Sequence, residues 1–155
     1  FDMVFIRKEG QFAEKMRLCF GIVDQSLPHL RKGLRSKEDM EAAAKILKGR
    51  KVAKGLRFIV VPATNTIFKQ AIERGYIKTF IEAGAVICHP CCGLCCGMPY
   101  GLMTDDERIL LTANRNFIGR QGTKKTLSYL SSPTVAAATA VMGVVTDPAD
   151  LPALS

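Results

Sequence analysis

The fold is decided by residues 56–88, which read LRFIVVPATNTIFKQAIERGYIKTFIEAGAVIC. The first six, 56–61, are a run of strand length that is apolar apart from Arg57, which is typical of a strand covered on both faces. Thr64 or Asn65 is the predicted cap of a helix whose apolar residues recur at helical spacing until Gly75. A short amphipathic piece and a second apolar run complete the stretch. Strand, helix and strand in that order predict a parallel sheet with helical connections.

Start and stop signals continue this alternation on both sides. Upstream, Ser36 is predicted to cap a helix that Gly49 ends. Downstream, two strands and an alanine-rich helix follow. Their signals are the apolar runs 109–112 and 127–130, a Ser131 or Ser132 cap, Pro133 at the first helical position, and Gly143 at the end. The whole pattern predicts an α/β fold, a three-layer α/β/α arrangement in which helices cover both faces of a mostly parallel sheet.

The first 36 residues give weaker signals. Residues 1–6 are a run of strand length that is apolar apart from Asp2, and residues 12–20 have the spacing of a short amphipathic helix. We divide the chain into a leading strand with a divergent basic segment, 1–36, and a C-terminal α/β domain, 37–155, with both parts in one structural domain. A chain that opens on a buried strand without an initiator Met is expected to be a piece of a longer protein.

The net charge of +8 does not predict a nucleic-acid-binding protein. Residues 7–54 carry 13 Lys and Arg against 6 Asp and Glu, whereas the rest of the chain carries 9 against 8. The excess is confined to one polar segment with few aromatic rings to stack on bases, and a solvated helical face explains it. No apolar run is long enough to span a membrane, and the N-terminus lacks the pattern of a secretion signal. We expect a cytoplasmic protein without nucleic-acid or membrane partners.

Five of the six cysteines lie between Cys88 and Cys96. Cys92 and Cys95 form a Cys-x-x-Cys pair in a loop with two glycines, so both sulfurs can face one soft metal centre. Two ligands do not complete a site, and a structural zinc ion is an alternative that needs further donors. Cys88, Cys91 and Cys96 are interpreted as small core or loop residues, and a disulfide framework is not expected because clustered cysteines without a secretion signal indicate a reducing compartment.

A second loop, residues 114–122, is rich in hydrogen-bond donors. Arg115 and Arg120, with Asn114 beside the first, offer planar guanidinium groups that can hold a carboxylate or a phosphate by paired hydrogen bonds. The alternative is a surface network in which the arginines pair with nearby acids. Those acids are Asp105, Asp106 and Glu107. The interleaved glycines and Asn114 favour anion binding.

The residues from 59 to 148 resemble the C-terminal part of the cluster-bearing large subunits of the 3-isopropylmalate dehydratase family, in the aconitase superfamily of iron-sulfur hydro-lyases. The motifs that carry the resemblance are Val60-Val61-Pro62-Ala63, Ile81-Glu82-Ala83-Gly84-Ala85, Pro90-x-Cys92-Gly93-x-Cys95-x-Gly97, Asn114-Arg115-Asn116-Phe117-x-Gly119-Arg120-Gln121-Gly122 and Ser132-Pro133-x-x-Ala136-Ala137-Ala138. Because the cysteine and arginine motifs occur together and in this order, the resemblance is specific.

The resemblance implies a 4Fe-4S cluster bound by three cysteines, two of them matched by Cys92 and Cys95. One iron is left open to polarise the hydroxyl group that leaves. Asn114 matches a position beside the cluster, and Arg115 and Arg120 match the loop that grips a substrate carboxylate. The implied reaction is the isomerisation of a hydroxy di- or tricarboxylic acid by dehydration and rehydration, in leucine synthesis. The catalytic base would come from a small swivelling subunit or domain.

One part of the family pattern is missing. The first cluster cysteine is expected after the leading strand, but the corresponding place reads Lys32-Gly33-Leu34-Arg35-Ser36. Cys19 is one possible substitute, and Cys88, Cys91 and Cys96 are others that spacing does not separate. We therefore expect negligible hydro-lyase activity from this chain alone. Alternative functions are those of a homoaconitase, of a methylmalate-type dehydratase, and of a non-catalytic or zinc-binding module without the cluster.

Overall fold

A computed structural model describes residues 16–21, 35–91, 103–105, 107–112 and 117–153. Its centre is one parallel sheet of five strands in the spatial order β3-β2-β1-β4-β5. The strands are β1 (Met16–Gly21), β2 (Arg57–Val61), β3 (Val86–Ile87), β4 (Arg108–Leu111) and β5 (Leu127–Leu130). All four neighbouring pairs run parallel, so the carboxyl ends of the strands share one edge of the sheet.

Four helices connect or follow the strands: α1 (Arg35–Leu47), α2 (Asn65–Glu73), α3 (Tyr76–Ala83) and α4 (Pro133–Met142). Local sequence sets their ends. Thr64 caps α2 and Ser132 caps α4 through side-chain oxygens that accept backbone N–H bonds. Gly75 and Gly143 adopt positive φ, a conformation that other residues rarely take, and they end α2 and α4.

The main core lies between the helices and one face of the sheet. All four helices contribute to it, together with Phe58 and Val60 of β2 and Leu110 of β4. The alternate residues of the same strands face the other way, as the two-residue repeat of a strand requires. Ile59, Val61, Ile109 and Leu111 form a smaller cluster with Cys88 and Met103, against which Cys91 packs. We call this set the loop-side cluster.

The structure confirms the α/β class, the parallel sheet, and the predicted elements from 56 onward. In the described residues all helices pack on one face, so a helical layer on the other face stays a prediction. The predicted strand 1–6 lies outside the described residues. The helix predicted at 12–20 is wrong from Met16 onward, because this segment pairs with both β2 and β4 at the centre of the sheet. The described part of 1–36 thus joins the sheet, while the domain division remains a prediction.

Two smaller points concern helix ends and length. Helix α1 begins at Arg35, so Ser36 lies in its first turn and is not the residue that precedes it. The predicted cap is therefore two positions late, which is within the usual uncertainty of a helix boundary. Among the described residues, no helix combines the length and the apolar character that a bilayer crossing requires.

Candidate active site

Both segments that carry the predicted site residues begin at the carboxyl edge of the sheet. The cysteine segment, residues 88–103, follows β3, and the arginine segment, residues 114–122, follows β4. Strand β1 lies between β2 and β4, and the connections on its two sides run in opposite directions. Such a reversal opens a crevice at the carboxyl ends of the strands, where α/β proteins place their ligands.

The cysteine segment starts as an extension of the sheet. The Cys88 N–H donates to the Val60 carbonyl at 2.9 Å, which continues the pairing of β3 with β2 by one residue. Cys88 is buried in the loop-side cluster, and half-buried Cys91 packs against the same cluster. Cys92 and Cys95 lie outside the described residues, and no group of three or more metal-binding side chains occurs among the residues that are described.

His89 contacts helix α2. Its imidazole meets the Phe68 ring edge to face, with 5.8 Å between the ring centroids and 87° between the planes. Phe68 packs against the main core, so the ring contact fixes the start of the cysteine segment to that helix.

Arg120 ends a tight turn in the arginine segment. Its N–H donates to the Phe117 carbonyl at 3.2 Å, and its guanidinium lies over the Phe117 ring at 5.3 Å from the centroid. Stacking of this kind orients the guanidinium plane while leaving its N–H groups in the plane free to bind a ligand. Arg120 is exposed. Asn114 and Arg115 lie outside the described residues.

The acidic residues near this loop have partners of their own. Asp105 pairs with Lys125, with 3.1 Å between Nζ and Oδ2. A hydrogen bond from Thr123 and the bond from Lys125 lower the pKa of Asp105. The Glu107 carboxylate accepts the Thr104 N–H at 2.8 Å. No described carboxylate pairs with Arg120, so the surface-network alternative is not supported in the part of the loop that is described.

Sequence reasoning missed two residues of this loop. Gln121 is 1% exposed, its Oε1 accepts from the Ser128 hydroxyl at 3.3 Å, and its Nε2 has no described hydrogen-bond partner. Gly122 has a φ of +149° and forms a bridge with Met103. Gly122 could have been identified from its position at the end of the arginine motif. No pattern in the sequence distinguishes a buried Gln121 from an exposed one.

The chemistry of the donors fits the cofactor that the family pattern implies. Thiolates are soft ligands suited to iron-sulfur centres. The two described thiols of the cysteine segment, Cys88 and Cys91, lie on an apolar cluster with Met103. Apolar surroundings of this kind keep water from a metal centre and influence its properties. A cysteine-rich segment that starts on such a surface is compatible with a cluster held by Cys92 and Cys95.

The parallel α/β fold, the cysteine segment and the arginine segment together define an aconitase-type domain. Residues 35–143 match the aconitase family (aconitate hydratase), and the chain belongs to that family. It is 54% identical over 114 residues to a 3-isopropylmalate dehydratase large subunit of Caldicellulosiruptor bescii. It is also 50% identical over 111 residues to 3-isopropylmalate dehydratase large subunit 1 of Archaeoglobus fulgidus.

These matches cover 74% and 72% of this chain. The chain spans about a quarter of the length of those relatives, 27% in both cases. A 3-isopropylmalate dehydratase large subunit of Clostridium botulinum gives the same result, with 52% identity over 110 residues, 71% of this chain and 26% of the relative. Family membership is therefore firm for the segment from α1 to α4.

Proposed function

We propose that this chain supplies the cluster-binding and carboxylate-binding part of a hydro-lyase that isomerises a hydroxy dicarboxylic acid, of the 3-isopropylmalate dehydratase type. The relatives at 50–54% identity carry that name. The observation that carries the proposal is a direct contact between the two candidate segments. The Met103 N–H, at the end of the cysteine segment, donates to the Gln121 carbonyl at 2.7 Å. Gln121 directly follows Arg120.

In this proposal Cys92 and Cys95 hold a 4Fe-4S cluster, with a third donor among Cys19, Cys88, Cys91 and Cys96. When bound, the cluster supplies an open iron that acts as a Lewis acid. Arg120, oriented by Phe117, holds a substrate carboxylate by paired hydrogen bonds, with Arg115 and Asn114 completing the grip. Fixing the carboxylate in this way orients the substrate and lowers the entropic part of the barrier.

Removal of the carbon-bound proton of the substrate requires a base, and we assign that base to a partner. The relatives are named large subunits, and a small swivelling subunit carrying that base is the proposed partner. Placing the base on a second body lets the site open for substrate and close for reaction. We place the assembled enzyme in the cytoplasm, because clustered thiols of this kind need a reducing compartment.

The cofactor assignment is tested by anaerobic reconstitution with iron and sulfide. The expected result is absorbance in the charge-transfer region together with several irons per chain, and Cys92→Ser should abolish both. The rival zinc module predicts one zinc and no such absorbance, and a bare scaffold predicts neither. Retention of the cluster by Cys92→Ser would remove the ligand assignment.

The anion-binding role is tested separately by titration with malate. Arg120→Lys keeps the charge but loses the planar fork, so we expect malate affinity to fall by about tenfold. Lys124→Ala is the matched control, since Lys124 is an exposed cation in the same loop. Unchanged affinity in Arg120→Lys would mean that malate senses only local charge, and a comparable loss in Lys124→Ala would mean that the effect is not specific to Arg120.

A further inference from the structure

A tight turn over residues 117–120 carries the most exposed large apolar side chain among the described residues. Ile118 is 85% exposed, and Phe117 before it is 48% exposed. The Arg120 N–H donates to the Phe117 carbonyl at 3.2 Å, and Gly119 has a φ of +77°. These features are those of a type II turn, with Ile118 at the first corner and Gly119 at the second, where a positive φ is required. We call residues 117–120 the apical turn.

The apical turn is held in place from two sides. A Cβ atom at Gly119 would lie 3.4 Å from Lys124 Cγ and 3.9 Å from Lys124 Cα, so the turn packs closely on the loop that follows it. Gln121, the next residue along the chain, is 1% exposed, and its Oε1 accepts the Ser128 hydroxyl of β5 at 3.3 Å. A projection that is fixed in this way loses little conformational entropy when a partner covers it.

The isoleucine at the apex does not contribute to the stability of the turn. Proline fits the first corner of a type II turn best, because its ring already holds the φ that this position needs. Ile118 lacks that advantage and leaves its side chain in water. Transfer of such a side chain into an apolar pocket is favourable, and protein interfaces obtain most of their affinity from a few side chains of this kind.

The proposed reaction brings a second protein next to this turn. Arg120 is proposed to hold one end of a small hydroxy acid, while the base that removes its proton belongs to the small subunit. A base acts within hydrogen-bond reach of that proton, about 2.6–3.2 Å, so the small subunit and Arg120 contact the same small molecule. The small subunit therefore covers the surface around Arg120, and Ile118 is two residues away.

We propose that the apical turn is the docking site of the small subunit, and that Ile118 enters an apolar pocket of that partner. This inference rests on the proposed function, which assigns the carboxylate to Arg120 and the base to the small subunit. The chain has a net charge of +8, so we expect the rim of that pocket to be acidic. Docking would also exclude water from the exposed guanidinium of Arg120, which strengthens its attraction for a carboxylate.

The test is calorimetric titration of the full chain with the purified small subunit of the Caldicellulosiruptor bescii 3-isopropylmalate dehydratase. The large subunit of that enzyme is 54% identical to this chain over 114 residues. We expect the parent chain to bind, and Ile118→Ser to bind about tenfold more weakly. Ile81→Ser is the matched control, because Ile81 is 59% exposed on helix α3, and it should keep the parental affinity. No binding by the parent chain, or equal losses in both variants, would overturn the proposal.

Further variants distinguish the side chain of Ile118 from the shape of the turn. Ile118→Pro keeps the type II geometry without the isoleucine, so it should bind as weakly as Ile118→Ser. Gly119→Ala strains the turn at a positive φ and should reduce the affinity several-fold. Gly75→Ala is its control, because Gly75 has a φ of +76° and a Cβ there meets nothing within 4 Å. It should bind like the parent chain. Parental affinity in Ile118→Pro or in Gly119→Ala would overturn the proposal.

Sedimentation velocity of the chain alone tests a second copy as the occupant. We expect no self-association that depends on the turn, and a dimer that Ile118→Ser abolishes would assign the turn to a second copy and overturn the proposal. Malate titration then separates the docking site from the proposed function. Malate binding through Arg120 without small-subunit binding would overturn the docking site alone. Small-subunit binding through Ile118 without malate binding would support the docking site and count against the role of Arg120.

Discussion

Thr64 shows how one side chain sets the entry into α2. Its Oγ1 accepts the Ile67 N–H at 3.2 Å, which satisfies one of the donors that the first helical turn leaves unpaired. Thr64→Ala should reduce the free energy of unfolding by about 1 kcal/mol, measured by urea denaturation. Thr66→Ala is the control, because Thr66 is an exposed residue inside the same turn, and it should change stability by less than about 0.5 kcal/mol. Equal effects would show that Thr64 does not act as a cap.

Asp105 makes the stability of the fold depend on pH. Hydrogen bonds from Thr123 and then Lys125 lower the pKa of its carboxyl below the ordinary value of 3.8. A lowered pKa in the folded state means that the ionised form stabilises the fold. This contribution is complete above pH 3.8 and is lost as the pH falls through the lower folded pKa.

Melting curves of the parent chain and of Asp105→Asn should therefore differ at neutral pH and converge in strong acid. Lys125→Ala, followed by NMR titration of Asp105, should move the pKa of this carboxyl upward toward its ordinary value, because one of the two lowering bonds is gone. A difference between the parent chain and Asp105→Asn that is constant with pH would contradict the assignment.

Helix α4 illustrates packing at the scale of an element. Ala136, Ala137 and Ala140 are fully buried, and these small residues let α4 approach the neighbouring helix α1 and the sheet closely. Ala137→Leu should therefore overpack the main core and cost about 1–3 kcal/mol in urea denaturation. Met142 lies on the same helix and is 43% exposed, and Met142→Leu exchanges side chains of similar volume. This control should cost less than about 0.5 kcal/mol. An unchanged free energy of unfolding in Ala137→Leu would mean that this interface contains a cavity large enough for the added side chain.

The same scale shows what the sequence could and could not predict. Strands β2 and β5 and helices α2 and α4 were predictable, because apolar period, caps and glycine stops all agree locally. Strand β1 was not, because Met16–Gly21 satisfies helical spacing equally well and becomes a strand only between β2 and β4. Its conformation is decided by hydrogen bonds to residues far away in the chain, which no local pattern contains.

The candidate site divides in a similar way. Cysteine spacing and arginine geometry point to ligands from residue type alone, so the sequence suffices to propose Cys92, Cys95 and Arg120 as site residues, and that assignment stays a prediction. The burial of Gln121 and the close approach of Gly122 to Met103 depend on how two loops meet after the sheet has formed. Contacts of this kind are visible only in three dimensions.

At the scale of the whole molecule, the two faces of the sheet have different roles. One face carries the helices and most of the buried apolar side chains. The other carries the small loop-side cluster, on which both ends of the Cys92–Cys95 loop are anchored. The main core and the proposed ligand site are thus separated in space but share β2 and β4, whose alternate residues face the two clusters. Metal uptake should therefore raise the free energy of unfolding of the entire sheet.

A centre that binds only the folded chain must raise the free energy of unfolding, by about 2.7 kcal/mol when the free ligand is at one hundred times its dissociation constant. We therefore expect the reconstituted chain to melt at a higher temperature than the metal-free chain, and removal of iron by a strong chelator should reverse the gain.

The ligands can be identified by measuring the rise in melting temperature on reconstitution in serine variants of the six cysteines. Cys92→Ser and Cys95→Ser should show no stabilisation on reconstitution, and the chain would need a different site if they retained it. Among Cys19, Cys88, Cys91 and Cys96, the third donor is the residue whose serine variant also loses the gain. Loss at Cys19 would be the most informative outcome, because Cys19 lies in β1, paired in register with Ile59 and Leu111. The centre would then connect the middle strand of the sheet to the cysteine segment.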